Sequence, residues 1–135
     1  MSRTLAREAA FKALFALDFN PDDVSQEIKA MFDDEPKLTS KKDFAYIDVT
    51  VRATRDNLAA IDELIVSNLR EGWQLPRLMS VDRNILRLAV FELLFAQPPI
   101  PKPVVINEAV ELAKRYGTDD SAKFVNGILD SISKT

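Results

Sequence analysis

The side chains of this sequence that could do chemistry are basic and aromatic residues near its two ends. In the first predicted helix, Phe15 projects about 160° away from Leu17, on the side that carries Lys12 and about 80° from Arg7. A ring beside basic side chains is a common way to hold single-stranded RNA, because a base stacks on the ring while the cations bind phosphates. The alternative is that Phe15 packs beneath the next helix or its acidic loop.

A second group lies in the opening turns of the last predicted helix, where Lys123 and Phe124 are adjacent. Free amides at a helix N-terminus favour phosphate, and the lysine and the ring add charge and a stacking surface. Two neighbouring carboxylates, Asp119 and Asp120, oppose an anion at the same place. The alternative is an ordinary capped helix with Phe124 in the core.

Catalytic chemistry is poorly supported by the composition. Histidine and cysteine are absent, and the three glycines form neither a GxGxxG nor a GxxxxGKS/T pattern. This excludes imidazole and thiolate catalysis, the common zinc-ligand sets and a glycine loop around phosphate. Acidic pairs could bind Mg²⁺ or transfer protons, but their positions at predicted helix ends favour caps and solvated turns. These acidic clusters are Asp22-Asp23, Asp33-Asp34-Glu35, Asp62-Glu63 and Asp119-Asp120. We predict a protein that is not an enzyme and holds no metal or other cofactor.

The charge is small overall but uneven along the chain. The net charge is -3, and residues 18–35 carry seven acids against the single Lys29. Nucleic-acid-binding proteins usually show a basic surface, so any nucleic-acid site here must be local. The longest apolar runs are four residues, as at 88–91, whereas a membrane helix needs about twenty. No hydrophobic signal region follows Met1, and we expect a cytoplasmic protein without a membrane partner.

The elements that must position these residues are helices. Apolar residues recur at helical spacing nearly throughout, and 135 residues fit one domain. We predict an all-α fold of six or seven helices in a single domain, residues 1–135, arranged as two small bundles, about 1–70 and about 71–135. The helix at 85–95 is apolar on nearly every side and should be central. The predicted helices cover residues 5–19, 21–32, 44–65, 81–95 (after a cap at Ser80), 104–116 and 121–132.

Local signals give further expectations. Ser40 should cap the third helix, and Gly117 should adopt a left-handed conformation after the fifth. The prolines of 98–103 should keep that segment extended. The regular apolar seam over 44–65 packs within the chain or, alternatively, forms a coiled-coil homodimer.

Several blocks of the sequence, in order along nearly its whole length, resemble the NusB (N-utilisation substance B) family of transcription antitermination factors. They are Ser2 to Ala10 with Leu14-Phe15, Val81-Asp82-Arg83 with Ile85 to Leu93, Val105 to Lys114 with Tyr116-Gly117, and Asp120 to Asp130.

The resemblance implies two small helical bundles without catalytic activity. Such proteins bind the boxA element of ribosomal RNA transcripts together with the ribosomal protein NusE, within the RNA polymerase antitermination complex. The RNA-binding residues implied are Arg3, Arg7, Lys12, Phe15, Lys123 and Phe124. The partner-binding residues implied are Arg77, Arg83, Glu92 and Asp120. With only two arginines in the first ten residues, RNA binding by the protein alone should be weak.

Two other interpretations remain open from the sequence. The chain could be a stand-alone NusB-like module that targets RNA for a ribosomal RNA methyltransferase system. It could also be a purely structural homodimer formed through residues 44–65, and the sequence leaves monomer and homodimer undecided.

Overall fold

The computed structural model describes residues 2–134 (for Ser2, the backbone alone), and no strand occurs within that range. The predicted all-α class is therefore confirmed. The α-helices are α1 (Ser2–Phe19), α2 (Val24–Asp34), α3 (Lys41–Asp56), α4 (Leu58–Ser67), α5 (Ser80–Val90), α6 (Lys102–Tyr116) and α7 (Ser121–Ser133). None of these helices combines the length and the apolar composition that crossing a membrane requires.

The chain forms two compact units that meet in sequence between Asp56 and Asn57. The first contains α1 to α3 and the second α4 to α7. Sequence reasoning placed this division near residue 70 and treated 44–65 as one helix, so both the boundary and the single helix differ from the structure. Asn57, with φ -105° and ψ 15°, separates α3 from α4. Asparagine is a poor helix former that readily occupies such a position.

The first unit is built around the apolar face of α1. The face predicted from helical spacing is buried, and α1 packs against both α2 and α3. Its small alanines let the neighbouring backbones approach closely, while the leucines fill the space between the helices. The buried residues of this face are Ala6, Ala10, Ala13, Leu14 and Leu17.

Helix starts in the first unit are set by capping side chains. The predicted cap at Ser40 is confirmed, because its Oγ accepts the Asp43 N–H at 3.0 Å. The start of α2 was predicted at Pro21, but the helix begins later. Asp23 is its N-cap and accepts the Gln26 N–H at 3.0 Å, which satisfies an otherwise free amide of the first turn.

The second unit surrounds α5 with α4, α6 and α7. Every residue from 84 to 90 is buried, which confirms the predicted central helix. The helix continues into a wider π-helical turn over Phe91–Phe95, where the Ala96 N–H donates to the Phe91 carbonyl at 2.9 Å. Such a turn inserts an extra residue into the helical repeat and changes the direction of the side chains that follow.

Two predictions about loops in this unit were wrong. Helix α6 begins at Lys102, so Pro103 lies within its first turn, where the missing N–H has no helical partner to lose. Gly117 has φ -96° and ψ -164°, which is extended and not left-handed. Glycine is needed there for space instead, because a Cβ would lie 2.6 Å from the Ser121 Cβ and 2.8 Å from the Ala113 carbonyl oxygen.

A partly buried ion pair joins α4 to the central helix. The Arg87 Nε donates to the Asp62 Oδ1 at 2.8 Å, and a second guanidinium nitrogen donates to Oδ2 at 3.0 Å. This two-point contact explains one of the acidic pairs noted in the sequence, since Asp62 balances a cation in the core. Such a pair fixes geometry strongly, because losing one partner leaves the other charge uncompensated.

Candidate nucleic-acid interface

The predicted RNA-binding arginines of α1 lie against a tyrosine of α3. The Arg3 guanidinium carbon lies 4.1 Å from the centroid of the Tyr46 ring, and that of Arg7 lies 5.9 Å from it. Both distances fall within the roughly 6 Å at which a cation is attracted to an aromatic face. Tyr46 therefore gathers two cations that are one helical turn apart in sequence.

The two arginines differ in exposure. Arg3 is exposed, whereas only 5% of Arg7 is accessible. Arg3 is thus the cation that a phosphate can reach directly, while Arg7 contributes charge from beneath the surface. An arginine stacked on a ring keeps its guanidinium edge available for hydrogen bonds, so stacking on Tyr46 and binding to phosphate are compatible.

Phe15 belongs to a row of three phenylalanines along α1. Its ring centroid lies 6.2 Å from that of Phe11 and 5.1 Å from that of Phe19, the second pair packing edge to face. Phe11 is buried, Phe15 is half-buried and Phe19 is 67% exposed. Its printed ring neighbours lie on α1 itself, so RNA stacking and packing beneath the next helix both stay predictions for Phe15. Lys12 on the same helix is half-buried.

In the second unit, Lys123 and Phe124 line an open groove of about 610 Å³. Lys123 is exposed and Phe124 is half-buried, so the ring is not confined to the core. Residues 68–70, which follow the end of α4, and Trp73 also line this groove. Asp120, predicted as a partner-binding residue, lines the same groove and is exposed.

The remaining predicted partner-binding residues lie in different environments. Arg77 is exposed in a short 3₁₀ turn, Leu75–Arg77. Arg83 donates to the carbonyl oxygens of Leu75 and Leu78 and to the Ser80 Oγ, at 3.2 to 3.4 Å, and so secures the loop before α5. Glu92 is only 1% exposed. A partner can reach Arg77 and Asp120 directly, and the partner role of all four residues stays a prediction.

One carboxyl group of this unit has an unusual environment. Burial raises the pKa of Asp82, and a hydrogen bond from Ser121 offsets part of that effect. Its Oδ1 is buried and has no hydrogen-bond partner. The opposite case is Asp130, whose pKa is lowered by hydrogen bonds from Lys134 and Lys102. Asp82 lies in the first turn of α5, where the positive end of the helix dipole favours a negative charge.

Sequence reasoning missed several residues of these surfaces. Phe11 and Phe19 share the i, i+4 spacing of Phe15 and were readable from the sequence. Tyr46 and Trp73 gave no such signal, because each meets its basic or aromatic neighbours only in the folded unit. Within residues 2–134, no group of three or more acidic side chains is placed to hold a metal ion.

The fold and these surfaces define an all-helical protein with basic and aromatic side chains accessible in each of its two units. Comparison with known proteins gives the family: the NusB family model matches residues 4–134, and the chain belongs to the NusB family.

Individual relatives are similar over nearly their whole length. The transcription antitermination protein NusB of Citrifermentans bemidjiense is 44% identical over 140 residues, which covers 99% of this chain and 95% of that protein. The protein of the same name from Bdellovibrio bacteriovorus is 41% identical and is covered over 96% of its length.

Solved structures of relatives share this fold. NusB of T. maritima matches with a TM-score of 0.88 and 47% identity, covering 98% of this chain and 90% of that one. A structure described as antitermination factors NusB and NusE in complex with dsRNA matches with a TM-score of 0.85 and 30% identity, covering 98% and 96% of the two chains.

Proposed function

We propose that this protein is a transcription antitermination factor that binds boxA-type RNA of ribosomal RNA transcripts together with the ribosomal protein NusE. The observation that carries the proposal is the full-length match to antitermination proteins, one relative of which has been solved with NusE and RNA. The protein acts in the cytoplasm as a non-enzymatic adaptor, bringing RNA and NusE to the antitermination complex of RNA polymerase.

The first RNA contact is the basic side of α1. Arg3, held on the Tyr46 ring, binds a phosphate, and Arg7 strengthens the positive potential from beneath. Lys12 adds charge, and the accessible side of Phe15 offers a stacking surface. The second contact is Lys123 with Phe124 in the groove beside α7.

The partner has a different role. Few cations are concentrated on α1, so affinity for RNA alone is low and depends on salt. A basic ribosomal protein supplies additional positive charge, and Arg77 and Asp120 are the predicted partner-binding residues that it reaches directly. The role of a methyltransferase-targeting module is less well supported, because the chain covers 95% or more of two relatives that are named antitermination proteins.

The test is to measure binding of a boxA RNA and of a scrambled RNA with the same composition, with and without NusE. We expect the boxA RNA to bind more tightly, and the preference to increase when NusE is present. Equal affinity for the two RNAs under both conditions would refute the proposal. Sedimentation of the free protein over a range of concentrations reports the oligomeric state independently.

Two variants test the α1 contact. Arg3→Glu should weaken RNA binding by about 1 to 3 kcal/mol, since it replaces a phosphate contact with a repulsive charge. Lys37→Glu is the matched control, because Lys37 is also exposed in the first unit and the charge change is the same. Arg3 is preferred over Arg7 for this test, because a glutamate in the place of the buried Arg7 would also destabilise the fold.

A further inference from the structure

Helices α1 and α3 begin at the same end of the first unit. Near the start of α3, Phe44 packs edge to face against Phe32 at the end of α2, and farther along α3 the Arg52 guanidinium donates to the Ser25 hydroxyl at the start of α2. Helices α2 and α3 are therefore antiparallel. Helix α1 packs against α2 and is joined to it by the four residues 20–23, so these two helices are antiparallel as well. The N-termini of α1 and α3 consequently lie side by side.

Tyr46 marks the side of α3 that faces α1, because its ring lies against Arg3. Phe44 marks the side that faces α2. At about 100° per residue, Lys42 projects about 40° from Tyr46 and precedes it by one turn. Lys41 projects about 140° from Tyr46 and about 60° from Phe44, which places it on the α2 side. Of these two adjacent lysines, only Lys42 continues the surface formed by Arg3 and Tyr46.

The ammonium group of Lys42 is available to a ligand. Lys42 is exposed, and among residues 2–134 it takes part in no ion pair or side-chain hydrogen bond. Another lysine of the same unit, Lys29, is by contrast paired with Asp33 at 2.6 Å. The carboxylate next to Lys42 in sequence, that of Asp43, belongs to a buried residue. Lys42 thus adds positive charge to the surface beside Arg3.

The position of Lys42 does not favour the stability of α3. The helix begins at Lys41, so Lys42 lies in the first turn, where the positive end of the helix dipole opposes a cation. Lys41 has the same disadvantage, but it faces the side of α2, whose last turn carries Asp33 and Asp34. On the α1 side, Lys42 lies beside other cations. Neither an ion pair nor the helix dipole accounts for Lys42, and its surroundings suit an anion.

We propose that Lys42 and Arg3 bind neighbouring backbone phosphates of an RNA that passes from α1 onto the start of α3. Residues one turn apart have Cβ atoms roughly 5 to 6 Å from each other, so Lys42 lies close to the ring that holds the Arg3 guanidinium. The inference rests on the proposed function and deepens it, because it adds a residue of α3 to an RNA surface whose cations on α1 are few. Contacts to phosphates contribute affinity and carry no base preference.

The experiment measures binding of the full-length protein to a labelled single-stranded boxA RNA and to the scrambled RNA, by anisotropy over a range of salt concentrations. Lys42→Gln should weaken binding of both RNAs by the same factor, roughly 3- to 10-fold, because a phosphate contact is lost whatever the bases are. The slope of the logarithm of the binding constant against the logarithm of salt concentration should become shallower by about 0.7. Lys42→Arg keeps the charge and should bind as the natural chain does.

Lys41→Gln is the matched control. Lys41 is also exposed, lies in the same turn and loses the same charge, but it is on the side of α2. This variant should keep the RNA affinity and the salt slope of the natural chain. Both glutamine variants remove a cation from the first turn of α3, so neither should lower the melting temperature. Weaker RNA binding by Lys42→Gln would then not come from a weaker fold.

Each outcome decides the proposal. If the natural chain prefers boxA RNA, but Lys42→Gln keeps its affinity and salt slope, the Lys42 proposal is overturned and the proposed function stands. Equal losses for Lys41→Gln and Lys42→Gln would also overturn it, because the effect would then follow from total charge and not from position. A loss seen only as weaker binding of NusE would place Lys42 at a protein interface and overturn it too. If no RNA binds with or without NusE, the proposed function and the Lys42 proposal both fail.

Discussion

Replacing Tyr46 with leucine is expected to weaken RNA binding although Tyr46 lies on a different helix from the predicted RNA-binding arginines. The Tyr46 ring holds the Arg3 guanidinium at 4.1 Å and lies at 5.9 Å from that of Arg7. Leucine keeps an apolar side chain at this position but has no aromatic face. Without the ring, the Arg3 side chain samples many rotamers, and RNA must select the rotamer that can bind a phosphate.

The size of the effect follows from exposure and distance. An exposed cation over a ring gains about 0.5 to 1 kcal/mol, and this range applies to Arg3. Arg7 is more buried but lies at the edge of the interaction range, so it adds little. Losing this preorganisation should weaken the free energy of RNA binding by about 1 kcal/mol, which raises the Kd roughly fivefold.

The assay is anisotropy of a labelled boxA RNA in moderate salt, with thermal unfolding of each variant recorded to check the fold. Tyr46→Phe is the control, because it keeps the ring and removes only the hydroxyl, and it should bind RNA nearly as tightly as the natural chain. The reasoning would be refuted if Tyr46→Leu bound RNA as tightly as Tyr46→Phe. Tighter binding by the leucine variant would show that the ring competes with RNA for Arg3.

Three predictions concern stability of the second unit and are checked by urea unfolding. Asp62→Ala should lower the free energy of unfolding by about 2 to 4 kcal/mol, because Arg87 then stays buried without the Asp62 carboxylate. Adding Arg87→Leu should recover part of this loss, and no recovery would contradict the ion-pair explanation. Burial raises the pKa of Asp82 above its ordinary 3.8, so the ionised carboxylate is less stable in the folded protein than in the unfolded chain. This lowers the free energy of unfolding progressively as the pH rises from 3.8 through the raised pKa. Asp82→Asn should therefore gain stability relative to the natural chain as the pH rises above about 4, and a difference that stays constant with pH would refute this. Gly117→Ala should destabilise by about 1 to 3 kcal/mol, since its Cβ would crowd Ser121 and a backbone oxygen, and unchanged stability would show that the loop moves at little cost.

Local patterns in the sequence were sufficient for much of the fold. The apolar face of α1, the cap at Ser40 and the buried central helix depend on spacings of a few residues, and the structure has all three. Other features did not follow from such patterns. A 3-and-4 spacing over 44–65 fits one helix as well as two, so the break at Asn57 was not predicted, and Gly117 is required by crowding from Ser121 and not by its φ angle.

The same distinction holds for the candidate site. The sequence by itself determined which end of the chain carries arginines and a ring on one helix, because residues one turn apart are neighbours whatever the rest of the chain does. Only the tertiary structure brought Tyr46 beneath Arg3, buried most of Arg7, and placed Trp73 in the same groove as Phe124. These contacts join separate helices, so they depend on how whole helices pack and not on the spacing of residues within any one of them.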